Sequence, residues 1–125
     1  IDLEPRRSQL LIVEGPTDCA AALTLGFQAV GRPSCSGGLT QTVELVRRLR
    51  PSQVVIVADG DQPGLEGAGK LARALILHTK DVRLIQPPPG AKDLREWVRR
   101  GGTHDDVVRA VEDAESFSPS IGLNT

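Results

Sequence analysis

Apolar residues along this chain fall into short runs set between longer amphipathic stretches. Gln9 to Val13 reads QLLIV, and the EGPTDCAAALTLG behind it places Ala, Leu and Cys at helical spacing until Gly26 supplies a stop. A weaker strand, FQAV from Phe27 to Val30, leads into the glycine-rich GRPSCSGG. LTQTVELVRRLRP then predicts an amphipathic helix with Val43, Val46 and Leu49 on one face and Pro51 at its end. The strongest strand signal is QVVIVADGD, and the helix after it, GLEGAGKLARALILHT, carries small residues near its start that permit close packing on a sheet. DVRLIQ predicts a fourth strand, and KDLREWVRRGG and HDDVVRAVEDAE predict two short helices, the first stopped by Gly101 and Gly102. The last stretch, SFSPSIGLNT, has the composition of a frayed tail. One domain is therefore expected over residues 10–115, between an N-terminal extension at 1–9 and a flexible tail at 116–125. Strands alternating with helices through short loops predict an α/β fold: about four mostly parallel strands flanked by helices, with right-handed crossovers.

Composition narrows this picture. A chain of 125 residues is one domain's worth. Only 2% of it is aromatic against 39% apolar, so the core must be built from Val, Leu, Ile and Ala, as is usual where helices pack on a buried parallel sheet. With 15 basic and 16 acidic residues the net charge is −1, which excludes a global field drawing the protein to nucleic acid or membrane. Any attraction for phosphate must be local. Cys19 and Cys35 form neither a CxxC pair nor a zinc-finger pattern, which suits a reducing compartment. No apolar run approaches the roughly 18 residues of a membrane span, and no secretory leader opens the sequence, so a cytoplasmic protein without membrane contact is expected. The start at Ile1, with no methionine, leads us to expect a processed chain or a piece of something longer.

The chemistry gathers at the strand ends. In open parallel α/β sheets the ligand crevice lies beyond the carboxyl ends of the strands. Glu14 is the first residue after LLIV, and Asp59 and Asp61 are the first charged residues after VVIVA. Three carboxylates are thus expected at one edge of the sheet. Asp59 and Asp61 share a face if the chain stays extended, because side chains alternate with period two. Such a cluster repels itself unless a proton or a cation compensates the charge. Hard oxygen donors in a small acidic crevice suit Mg²⁺ or Mn²⁺, which keep waters and leave room for substrate phosphates. The plainer reading is that Asp59 and Asp61 are turn formers, since Asp, Gly and Pro are common in turns. Glu14 at the matching place on a second strand favours the metal.

VEGPTD followed by VVIVADGDQPG resembles the Toprim domain of bacterial-type primases, topoisomerases, recombination mediators and some nucleases. The resemblance runs from about Leu10 to Gly101 and implies a Toprim-type, Rossmann-like sheet. It implies that Glu14 acts as general acid/base or metal ligand, that Asp59 and Asp61 are metal ligands, and that Asp18 is the second acid of the EGxxD motif. DGDQPGLEGA is similar to the primase and primase-helicase form, whereas topoisomerases carry Arg-Glu-Gly where Gln62 and Pro63 stand here. PPPGAKDLREWVRRGG resembles the primase segment that brings another aspartate, here Asp93, to the metal. SCSGGLT occupies the place of the primase loop after the second strand, which would set Gly37, Gly38 and Thr40 beside the site. Gln62 replaces an arginine frequent in primases and removes one phosphate contact.

Basic residues have two readings. Lys92, with Arg95, Arg99 and Arg100, either touches template or primer phosphates or forms a solvated helix face. Lys70 either steers phosphate from the helix after Asp61 or is ordinary surface. The function that the resemblance implies is metal-dependent nucleotidyl transfer: RNA primer synthesis in DNA replication, from nucleoside triphosphates on a single-stranded DNA template, alongside other primase or helicase domains. A Toprim nuclease would use the same acids to activate water. A non-catalytic nucleic-acid-binding module of repair or mobile elements is the third reading.

Overall fold

A computed structural model of the chain describes residues 8–32 and 38–117. Four strands, β1 (Gln9–Val13), β2 (Ala29–Gly31), β3 (Gln53–Val57) and β4 (Val82–Ile85), alternate with helices α1 (Pro16–Thr24), α2 (Gly38–Leu49) and α3 (Gln62–Leu75). Two further helices, α4 (Leu94–Arg99) and α5 (His104–Asp113), follow β4. The strands form one sheet in the order β2-β1-β3-β4, and every pairing is parallel. The α/β architecture expected from the hydrophobic pattern is the one observed.

The sheet is buried on both sides, so its two sets of alternating residues feed two cores. Leu11, Val13, Val55, Val57 and Ile85 pack with Ala22 and Phe27 and with Leu94, Trp97, Val107 and Val111 of α4 and α5. Leu10, Ile12, Val54, Ile56 and Val82 pack on the opposite side against Val46 of α2 and Ala68, Leu71, Ala72 and Leu75 of α3. Helices α1, α4 and α5 therefore cover one face, and α2 and α3 the other.

This arrangement creates the crevice. From β1 the chain steps outward to β2 through α1, then crosses back over β1 to β3 through α2 and continues to β4. The direction of winding reverses between β1 and β3, so the helices that leave these neighbouring strands depart to opposite faces. A cleft opens at their carboxyl ends.

Element boundaries moved where local packing outweighed the strand pattern. The second strand is Ala29–Gly31, starting two residues later and ending one later than FQAV suggests. Gly26, at φ +100°, ends α1 in the left-handed region, and Phe27 turns back to donate its N–H to the Ala22 carbonyl at 3.0 Å. Its ring enters the core, and pairing begins afterwards. At the other end, Phe117 donates its N–H to the Val82 carbonyl at 2.8 Å and packs against the α2/α3 core. Phe117, from the stretch with tail-like composition, is thus tied to β4 and the core, and residues 118–125 lie outside the described residues.

Candidate functional site

The parallel register decides what meets at the cleft. Ile12 pairs with Ile56, so Glu14 lies level with Ala58, and Asp59 stands one residue further along. Leu10 and Ile12 belong to the α2/α3 side and Val55 and Val57 to the α1/α4 side. Continued alternation sends Glu14 toward α3 and Asp59 toward α1 and α4. The contacts agree. Glu14 Oε2 accepts from Arg32 Nη2 at 3.1 Å, and Arg32 Nη1 donates to the Gly67 carbonyl of α3 at 3.3 Å.

Asp61 and Asp93 hold helix ends. Asp61 is the N-cap of α3, its Oδ1 accepting the Gly64 N–H at 2.7 Å; Asp93 is the N-cap of α4, accepting the Glu96 N–H at 2.8 Å. Asp18, in the first turn of α1 and only 5% exposed, accepts the Arg95 N–H at 3.1 Å and so binds α1 to the start of α4. Each cap uses one carboxylate oxygen. The turn reading of Asp61 is therefore correct as local structure, and the cap sets that acid beside the cleft.

Asp59 differs from the others. Its Oδ1 is buried with no hydrogen-bond partner among the described residues. Burial, followed by the negative charges of Glu14, Asp18, Asp93 and Asp61, pushes its pKa up from 3.8 to about 6. Burial also raises Asp18; the Arg95 N–H opposes that rise, while Asp93 and Glu14 reinforce it. Four acids thus act on Asp59, and two of them also on Asp18, across a single cleft.

Two close approaches hold it in shape. The Gly60 N–H donates to the Lys92 carbonyl at 2.7 Å, and a Cβ at Gly60 would lie 3.2 Å from the Ala91 carbonyl oxygen, so the loop carrying Asp93 rests on the Asp-x-Asp turn. A Cβ at Gly64 would meet Asp61 Oδ1 at 2.9 Å and the Asp59 carbonyl oxygen at 3.1 Å. Only glycine lets α3 start so close to Asp59. Gln86, after β4, donates to the Asp59 carbonyl at 3.0 Å and braces the same turn.

The other expected site residues fare differently. Gly37 lies outside the described residues. Gly38 begins α2 and is buried, with Thr42 Oγ1 donating to its carbonyl at 2.7 Å, and Thr40 is exposed. Lys70 and Lys92 are exposed; the contacts Lys92 makes here run through its backbone, which also donates to Glu96 Oε1 at 2.8 Å. The site residues that the pattern did not single out are Arg32, Gly60, Gly64 and Gln86. Gly60 inside Asp-x-Asp and Gly64 three residues behind it were the one available signal.

The donor set suits a hard divalent ion. It consists of carboxylates only, carries excess negative charge, and includes a buried oxygen without a partner among the described residues. The acids do not close on one point: among the described residues, no three His, Cys, Asp or Glu side chains are grouped as a metal centre requires. Glu14 is paired with Arg32 instead, and Asp61 and Asp93 each give an oxygen to a helix N-terminus.

An all-parallel α/β sheet with acids gathered at its winding reversal defines a class of cleft domain with an acidic crevice at the strand ends. The chain belongs to the Toprim-like family, whose model matches residues 11–98. Solved structures agree. An Escherichia coli primase catalytic core is 28% identical, with a TM-score of 0.71, over 97% of this chain and 38% of that one. A DnaG primase catalytic domain bound to single-stranded DNA is 26% identical, with a TM-score of 0.72, over 97% and 38%. A DNA primase domain from Pseudomonas aeruginosa, at 23% identity and a TM-score of 0.70 over 87% and 34%, has the same fold. The chain spans 34% to 38% of the length of these primase chains. No curated protein sequence matches it closely enough to count as a relative.

Proposed function

We propose that this chain is the metal-dependent Toprim domain of a primase-like protein, transferring nucleotides to build RNA primers on single-stranded DNA. The observation that carries the reading is Asp59: a carboxylate with a buried oxygen that finds no partner among the described residues, its pKa raised to about 6 in a cleft where four further acids act on it. Mg²⁺ or Mn²⁺ would be held by Asp59 and Asp61 with Asp93 and Glu14. When bound, such ions offset charge on an attacking hydroxyl and on a leaving pyrophosphate.

The protein's own groups have separate parts. Asp61 and Asp93, fixed as helix caps, present carboxylates whose positions do not depend on a ligand. Asp18 keeps α4, and hence Asp93, seated against α1. Glu14, within reach of both Arg32 and the acids around Asp59, either joins the ligand set or moves a proton at the attacking hydroxyl. Lys70 on α3 and Lys92 just before α4 are exposed cations flanking the cleft and would meet phosphates of a nucleoside triphosphate or the template. Other domains of a primase or helicase would supply the grip on the template strand, and a reducing cytoplasm would be the setting.

The test is synthesis by the longer protein that this reading implies. Given single-stranded DNA, ribonucleotides and Mn²⁺, the wild type should make primers and its Asp59→Asn variant should not. Cleavage of phosphodiesters without primer synthesis would replace this reading with the nuclease.

A further inference from the structure

Arg32 follows directly after β2, on the edge strand, and reaches across the end of β1 to α3. It bonds Glu14 with one nitrogen and the Gly67 carbonyl with the other, and its side chain is 18% exposed. Among the described residues no other Lys or Arg makes an ion pair with Glu14, Asp18, Asp59, Asp61 or Asp93.

The seat is built on the α3 side. Gly67 lies inside α3, where glycine disfavours helix relative to alanine. A Cβ there would lie 2.9 Å from Arg32 Nη2 and within 4 Å of Nη1 and Cζ. The missing side chain is therefore the space in which the guanidinium lies. A helix interior has given up its preferred residue at the one position that lets Arg32 rest against it.

Resting on the metal reading above, we infer that Arg32 is a positioning residue for Glu14: it competes with the divalent ion for that carboxylate. A guanidinium stays charged at every working pH and prefers a planar grip on carboxylate and carbonyl together. While it holds Glu14 on the α3 side, that carboxylate is withheld from the Asp59 side, and an ion entering the cleft must draw it off Arg32 to use it. Arg32 thus sets how readily Glu14 joins the ligands, and holds it in place when it does not.

Calorimetric titration with Mn²⁺ tests this in wild type, Arg32→Gln, Glu14→Gln, the double variant and Gly67→Ala. Arg32→Gln should bind Mn²⁺ roughly five- to tenfold more tightly, and that gain should vanish in the Glu14→Gln background, because contacting residues are energetically coupled. Gly67→Ala fills the guanidinium's place, so it should tighten Mn²⁺ binding as well, while its melting temperature holds or rises. This variant carries the test should Arg32→Gln fold poorly. The same gain in the Glu14→Gln background would mean that Arg32 acts only as a distant positive charge, and would overturn the inference. So would unchanged affinity in Arg32→Gln or in Gly67→Ala. Binding present but insensitive to Arg32 defeats this inference alone; binding absent from wild type, Arg32→Gln and Gly67→Ala defeats the metal reading with it.

Discussion

Asp59 carries the account at the scale of single residues, and its proton gives a measurable sign. The native state holds that proton up to about pH 6, whereas an unperturbed aspartate releases it near 3.8. Between these values the folded state binds more protons than the unfolded, so this group's contribution to stability falls as pH rises through the window. Above it the charged carboxylate opposes folding. Asp59→Asn, with metal removed, should raise stability at pH 7 by about 1 kcal/mol after allowing for screening by water, a few degrees in melting temperature. The gain should shrink toward zero by pH 4, where the native carboxyl is already neutral. Asp81 titrates the other way: burial pushes it up, but hydrogen bonds from Gln53, Arg83 and Ser116 outweigh burial and hold it low. The wild-type curve therefore mixes groups, and the difference between variant and wild type isolates Asp59. Thermal unfolding in chelator at both pH values decides it; an equal gain at pH 4, or a loss at pH 7, contradicts the charge cluster. Asp59 and Asp61 were legible because two acids directly behind an apolar run mark a strand end. Arg32 was not, since a single arginine before a glycine-rich loop has no periodic signature and its partners lie 18 positions back and 35 ahead.

At the scale of elements, the alternation of apolar runs and amphipathic stretches placed every strand and helix, because a sheet buried on both faces leaves uninterrupted Val, Leu and Ile in the chain. The pattern could not fix the edges of β2 and α4. A three-residue edge strand has too few positions to show a period, and α4 begins only where Asp93 caps it, after the loop that rests on Gly60. Gly102 was legible as a helix stop, but its second task is a close approach that no sequence pattern announces. A Cβ there would fall 2.6 Å from Trp97 Nε1 and closer still to Cδ1. Trp97 is a buried member of the α1/α4/α5 core and anchors the helix whose N-cap is Asp93. Gly102→Ala should therefore force the indole from its site and destabilise the domain by about 2–3 kcal/mol, as overpacking does. Urea unfolding measures it, and a change below about 0.5 kcal/mol would mean that the loop yields freely and does not fix α4.

For the molecule as a whole, the division of labour follows from what the surface lacks. Single-stranded nucleic acid is gripped by basic grooves with aromatic platforms for its bases. Here Phe27 and Trp97 are buried, Phe117 packs on the core, and the net charge is −1. The isolated chain should therefore neither bind single-stranded DNA tightly nor make primers with ribonucleotides and Mn²⁺. Primers that appear with the native chain and vanish with Asp59→Asn would show a self-sufficient domain. What the chain itself should do is hold the ion, and a ligand that binds only the folded state stabilises it by mass action. Mn²⁺ titration by calorimetry, paired with melting in the same buffer, reads this most directly in wild type and in Asp59→Asn/Asp61→Asn. The account predicts weak binding and a raised melting temperature in the wild type. In the double variant it predicts loss of both, with metal-free stability kept or increased. Unchanged Mn²⁺ binding by the double variant would contradict it.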